Sequence, residues 1–261
     1  MAAPARSNAT QRTACVTGAS SGIGRASAVA LAKAGWTVIV SGRRADELDE
    51  TIRQARQESA DAELLAVPGD LGKPEDVDTL FQTIKERYGR LDLLFNNAGR
   101  NVKPVPLEDV PLEDLNSIVA VNLVAPFLCT QHAFRIMCDQ SPRGGRIVNN
   151  GSISAHAPRP FSAPYTLTKH AITGLTKSTA LDGRAYNIAC SQIDIGNAES
   201  PMVGALKQGG SLQPNGERIQ EAVMPVEHVA NAVVHMASLP LEVNILTQTI
   251  MATTMPFVGR G

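Results

Sequence analysis

The chain has 261 residues, 43% of them hydrophobic, and balances 24 basic against 25 acidic side chains for a net charge of −1. That length suits one large core, and charges mixed along the chain leave no field of one sign, which argues against a nucleic-acid or acidic-membrane partner. No eighteen apolar residues run together, so no membrane-spanning helix is expected. The four cysteines lack CxxC or Cys/His ligand spacing and read as buried reduced thiols, and the histidines show no paired-ligand motif, so no metal is expected.

In chain order, the first twelve residues hold two arginines and no acid, and residues 1–11 read as a flexible tail of a cytoplasmic protein, a short organellar presequence being the alternative. Residues 12–261 read as one domain. Apolar runs predict buried strands at Ala14–Val16, Val38–Val40, Leu64–Val67, Leu91–Phe95, Ile147–Val148, Ile188–Ile193 and Ile245–Met251. Between them lie predicted helices over 22–34, 44–59, 74–88, 111–140, 162–184 and 226–238, two of them closed by Gly35 and Gly89. Strands that are continuously apolar fit a parallel sheet covered on both faces. The expected fold is therefore α/β, a Rossmann-like doubly wound parallel sheet of about seven strands, with a ligand crevice at the strands' carboxyl ends. Residues 199–222, rich in Gly, Gln and Ser, break the pattern and read as a mobile substrate flap.

After the first strand, Thr17-Gly18-Ala19-Ser20-Ser21-Gly22-Ile23-Gly24 leads into an Ala-rich helix. Glycines there let the backbone approach a pyrophosphate, and the helix amino terminus offers free N–H groups, although the spacing departs from GxGxxG and ordinary loop chemistry is the bland reading. The second strand ends at Arg43-Arg44, where an acid would hold the ribose 2′-hydroxyl of NAD. Two guanidinium groups instead suit a 2′-phosphate, so NADP(H) is expected over NAD(H), unless the arginines merely solvate the next helix. Tyr165 and Lys169 lie four apart in a predicted helix and share a face. An ammonium beside a phenol favours the phenolate and eases proton transfer, so Tyr165 is the expected acid–base group for a carbonyl and alcohol pair. Ser152, near the end of the fifth strand, is placed to hydrogen-bond the same oxygen.

Thr17-Gly18-x-x-x-Gly22-x-Gly24, Asn96-Asn97-Ala98-Gly99, and Ser152 followed by Tyr165-x-x-x-Lys169 together resemble the short-chain dehydrogenases/reductases over nearly the whole chain. That resemblance implies Asn122 as the fourth catalytic residue, linked to Lys169 through water, Asp70 and Leu71 at the adenine pocket, and Asn97, Ala98 and Gly99 beside the cofactor. It also implies contacts from Ile195, Gly196 and Ser200, where the family's Pro-Gly pair and threonine stand. Ile195 replaces that proline and frees the turn from a fixed φ, and Ala252–Phe257 replaces the family's terminal glycine pair. A homotetramer or homodimer follows from the resemblance alone. Among nearby polar residues, Arg100 and Asn101, Ser154 and His156, and Arg159 invite a substrate role; one arginine could hold a substrate carboxylate, although such loop arginines are more often solvated, and His156 reads as a hydrogen-bonded loop residue. The leading expectation is a reductase of a small or medium ketone or aldehyde, or the reverse dehydrogenase. A nucleotide-binding sensor without turnover is the alternative, and phosphate transfer is disfavoured because the glycine turn lacks Gly-Lys-Ser/Thr.

Overall fold

The computed structural model describes residues 11–201 and 209–258. All but the last residue of the expected tail, and residues 202–208 of the expected flap, lie outside the described residues. In chain order the strands are β1 (Thr13–Thr17), β2 (Thr37–Gly42), β3 (Leu64–Pro68), β4 (Leu93–Asn96), β5 (Gly145–Asn150), β6 (Ile188–Ile195), β7 (Ser211–Leu212), β8 (Arg218–Ile219) and β9 (Thr247–Ile250). The helices are α1 (Gly22–Lys33), α2 (Ala45–Glu58), α3 (Pro74–Tyr88), α4 (Leu112–Val119), α5 (Ala125–Asp139), α6 (Ala163–Asp182) and α7 (Val226–Ser238).

Seven strands form one parallel sheet in the order β3-β2-β1-β4-β5-β6-β9. The chain winds outward from β1 to β3, then returns to lay β4 on the other side of β1, and the reversal opens a crevice between them. Every residue of β1, β2 and β6 is buried. Within them the pleat still sorts side chains. Val16, Val38, Val40 and Phe95 join α1, α2 and α7 in one core, while Cys15, Ile39, Leu94 and Ile147 join α3 and α5 in the other. That double covering explains why the strands read as continuous apolar runs.

Three expectations are corrected. The expected strand over Ile245–Met251 is only β9, whose exposure alternates because it forms the sheet's edge. The expected flap contains a small antiparallel hairpin, β7 with β8, whose two-residue strands carry too little pattern to be read from sequence. The long helix expected over 111–140 is interrupted by a π-helical turn at Ala120–Val124. The stretch Leu112–Asp139 is nonetheless long and apolar enough by composition to cross a membrane. Its Ala125, Cys129, Ala133, Ile136 and Met137 are buried in the protein's own core, packed with α3 and the sheet.

Candidate active site

The carboxyl ends of the strands open into a cleft of about 790 Å³ lined by the glycine turn, the ends of β4, β5 and β6, the start of α6 and the β7–β8 hairpin. Gly18 has φ +65°, and a Cβ there would stand 2.8 Å from the Ala98 Cα. The turn after β1 is thus pressed against the turn after β4, and only glycine fits. Thr17 stitches the two: its Oγ1 accepts from the N–H groups of Asn97 and Ala98 at 3.0 and 2.9 Å, while Asn97 Nδ2 donates to the Thr17 carbonyl at 2.9 Å. Ser21 starts α1 without a side-chain cap, and the first turn carries no acid. The N–H groups and partial positive charge at Gly22, Ile23 and Gly24 are left for a ligand, and together with the close backbone they fit a dinucleotide's diphosphate.

Arg44 crosses the mouth of this turn, donating to Ser20 Oγ and Ser21 Oγ, both at 3.1 Å. Arg43 is exposed and lines the same cleft. Register between β2 and β3 pairs Gly42 with Pro68, so Gly69, Asp70 and Leu71 follow alongside Arg43. Asp70 Oδ1 accepts from the Gly72 N–H at 3.1 Å, and Leu71 is buried. Ala98 and Gly99 line the cleft, as do Ile195, Gly196 and Ser200.

Ser152, Tyr165 and Lys169 line the cleft together. Lys169 is buried at 6% exposure; its Nζ donates to the Asn150 carbonyl at 2.7 Å and lies 5.5 Å from the centre of the Tyr165 ring. Asn150 in turn donates from Nδ2 to Asn97 Oδ1 at 2.9 Å. A continuous chain of hydrogen bonds thus runs from Lys169 through Asn150 and Asn97 to Thr17, crossing β5, β4 and β1. Ser152 Oγ accepts from the Ser154 N–H at 3.1 Å.

Asn122 does not form part of the cleft wall; Val121 does. Asn122 is buried in the π turn, where Oδ1 accepts from the Arg100 N–H at 2.8 Å and Nδ2 donates to the Arg100 carbonyl at 2.9 Å and to Thr168 Oγ1 at 3.3 Å. Its amide therefore clamps the loop after β4 to α6, one residue before Lys169. Arg159 is neither solvated nor free for a substrate carboxylate. It pairs with the buried Glu221 and donates to Asn197 Oδ1 at 3.1 Å, so it is already engaged by a carboxylate of the chain itself. Burial alone would raise the Glu221 pKa, but hydrogen bonds from Arg159, Gln213 and Asn197 outweigh it and hold the carboxyl below its usual value. His156 is the hydrogen-bonded loop residue expected, with Nε2 2.8 Å from Asp194 Oδ2.

The model of the short chain dehydrogenase family matches residues 12–210. The chain belongs to the short chain dehydrogenase family. It is 34% identical over 187 residues to a 3beta-hydroxysteroid dehydrogenase of Mediterraneibacter gnavus, covering 72% of this chain and 66% of that one. Among solved structures it is similar to levodione reductase, with a TM-score of 0.84 and 28% identity over 92% of this chain and 96% of the other. A variant of actinorhodin polyketide ketoreductase solved with NADPH gives a TM-score of 0.81 at 26% identity, over 92% and 96% of the two chains. As a short chain dehydrogenase, the protein is an NAD(P)-dependent oxidoreductase acting between CH–OH and C=O groups.

Sequence reasoning missed Asn150 as the acceptor for Lys169, and Glu221 and Asp194 as buried carboxylates beside the cleft. A signal existed for Asp194: Gln192 and Asp194 put two polar side chains on one face of a mostly apolar strand. Glu221 gave none, because its partner Arg159 lies 62 residues away.

Proposed function

We propose that this dehydrogenase is an NADP(H)-preferring reductase of a small or medium ketone or aldehyde, with Tyr165 as proton donor. The observation that carries the reading is the position of Lys169. Its buried ammonium has no carboxylate partner among the described residues and stands beside the Tyr165 ring, held there by the Asn150 carbonyl. A positive charge so placed stabilises the tyrosinate left when the hydroxyl gives up its proton. Ser152 donates its hydroxyl hydrogen to the substrate oxygen, because its Oγ already accepts from Ser154 and the hydrogen is turned elsewhere. Asn122 acts by holding the loop after β4 against α6. The nicotinamide cofactor, when bound, supplies or takes up hydride at the substrate carbon. Gly18, Ser20, Ser21, Gly22, Ile23 and Gly24 hold its diphosphate, and Arg43 and Arg44 its 2′-phosphate.

Fluorescence titration with NADPH, then turnover of a panel of aldehydes, ketones and 3-oxo esters, tests the reading. Tyr165→Phe is expected to bind NADPH as the wild type does while losing about 10²–10⁴-fold in kcat. Full activity in that variant would reassign the proton donor, and binding without turnover of any panel member by the wild type would favour a sensor.

We further propose a homo-oligomer in a reducing, cytoplasmic compartment. Val124 and Phe127 on one side of the π turn and α5, and Leu167 and Leu181 on α6, are 41–59% exposed, and a second copy is the simplest cover for such a set. Free cysteines throughout support the compartment.

A further inference from the structure

Asp194 is fully buried beside the proposed catalytic group and does not form part of the cleft wall. We propose that Asp194 is a positioning residue for the reaction, fixing Ser152 in register with the helix that carries Tyr165 and Lys169. The proposal rests on the reading that Ser152 hydrogen-bonds the substrate oxygen.

A carboxylate withdrawn from water is stable only with donors on its oxygens, and the donors here come from the loop after β5 and from β6 itself. Oδ1 accepts from the Ser152 N–H at 2.9 Å and from Gln192 Nε2 at 2.7 Å. Oδ2 faces His156 Nε2 at 2.8 Å. Register between β5 and β6 pairs Asn150 with Ile193, so the chain at Gly151 and Ser152 leaves β5 directly over Asp194. Contact there is close enough that a Cβ on Gly151 would lie 2.1 Å from Oδ1. Gln192 extends the link to α6: its Nε2 also donates to Thr173 Oγ1 at 3.1 Å, one helical turn after Lys169, and its Oε1 accepts from Thr176 at 3.3 Å.

These bonds decide where the Ser152 hydroxyl points. Its main-chain N–H is fixed by Asp194 and its Oγ by the Ser154 N–H, so the rotamer is set from two sides. His156 closes the remaining carboxylate oxygen and meets the Phe257 ring edge-on, with centroids 6.3 Å apart, which braces the loop from the carboxyl-terminal segment. The following residue, Ile195, stands where the family has a proline, so this turn is not held by a fixed φ. The carboxylate of Asp194 supplies the restraint instead, by bonding the end of β6 to the loop after β5.

The test is a double-mutant cycle on the purified full chain, using the panel carbonyl that the wild type reduces and NADPH fluorescence for binding. Asp194→Ala is expected to lower kcat on the order of 10²-fold, the cost of misplacing one contact to the reacting atoms, while NADPH affinity is unchanged. Asp194→Asn, whose amide oxygen still accepts from the Ser152 N–H, is expected to restore most of that loss. In a Ser152→Ala background, Asp194→Ala is expected to cost nothing further. An equal loss in both backgrounds, unchanged kcat, or a parallel fall in NADPH affinity would overturn the proposal. Should Asp194→Ala fail to fold, His156→Leu and His156→Gln repeat the test from the other oxygen. Loss in the first with recovery in the second, and only when Ser152 is present, supports the proposal; full kcat in His156→Leu overturns it. Wild-type kcat in Ser152→Ala alone would instead overturn the underlying reading of Ser152, so the two failures are distinguishable.

Discussion

Arg44 reaches two serine hydroxyls at the mouth of the glycine turn, and both are neutral partners for a charged donor. A phosphate on the adenosine ribose would replace those bonds with charge-assisted ones, which are stronger and geometrically matched to a guanidinium. Arg44→Ala is therefore expected to weaken NADPH binding about 10–100-fold and to leave NADH binding nearly unchanged, as read by fluorescence titration. An equal fall for both cofactors would show that the arginine supports the turn itself. Arg25 makes a useful contrast. It sits on α1 near the same turn, but it is spent on Glu47, Thr51 Oγ1 at 3.0 Å and the Ser20 carbonyl at 2.6 Å. Both arginines pair with Glu47, Arg44 at the longer distance of 3.8 Å, but Arg25 is also bonded into the turn whereas the hydrogen bonds of Arg44 go to hydroxyls that a ligand can displace.

The Arg159–Glu221 pair is a property of elements more than of residues. Arg159 belongs to the loop before α6, Asn197 follows β6, and Gln213 lies between β7 and β8; all three donate to Glu221 or to one another. Because these bonds depress the Glu221 pKa, their contribution is full above the ordinary carboxylate range and is lost as pH falls through the lower folded value. Glu221→Gln is expected to cost about 2 kcal/mol in urea unfolding at neutral pH, with the gap to wild type closing on acidification. Such a latch was not legible in the sequence, since it joins polar loop residues whose pairing depends on the finished fold. Apart from the interrupted stretch 111–140, the helices were legible almost to the residue, because apolar periodicity does not depend on distant partners, and Gly89 adopts the left-handed cap expected of it, with φ 64°. Tyr165 and Lys169 were legible for the same local reason, being one helical turn apart. Asn122 was found but its neighbours were not: nothing local announces a π turn whose amide clamps Arg100.

At the scale of the whole molecule, one of the two cores, the one that packs α3 and α5 on the sheet, encloses most of the thiols. Burial pushes Cys129 and Cys190 up to about 12 and raises Cys15 as well, while Cys138 is only partly buried. A thiol reagent at neutral pH is expected to label one cysteine, Cys138, in the native protein and all four after denaturation. Rapid native labelling of a second cysteine would mean that a core opens readily. On the outside, Phe127→Glu combined with Leu167→Glu is expected to shift the light-scattering mass toward a single chain, while a mass unchanged by both would place any interface elsewhere. The hydrogen-bonded chain from Lys169 to Thr17 bears on how such an enzyme diversifies. On the proposed assignment it anchors the chemical step to three adjacent central strands, whereas the hairpin that lines the cleft forms a separate small sheet. Selection for a new substrate can therefore rewrite the outer walls of the cleft while the proposed proton-transfer group stays still, so that selectivity and reactivity are inherited as separate traits.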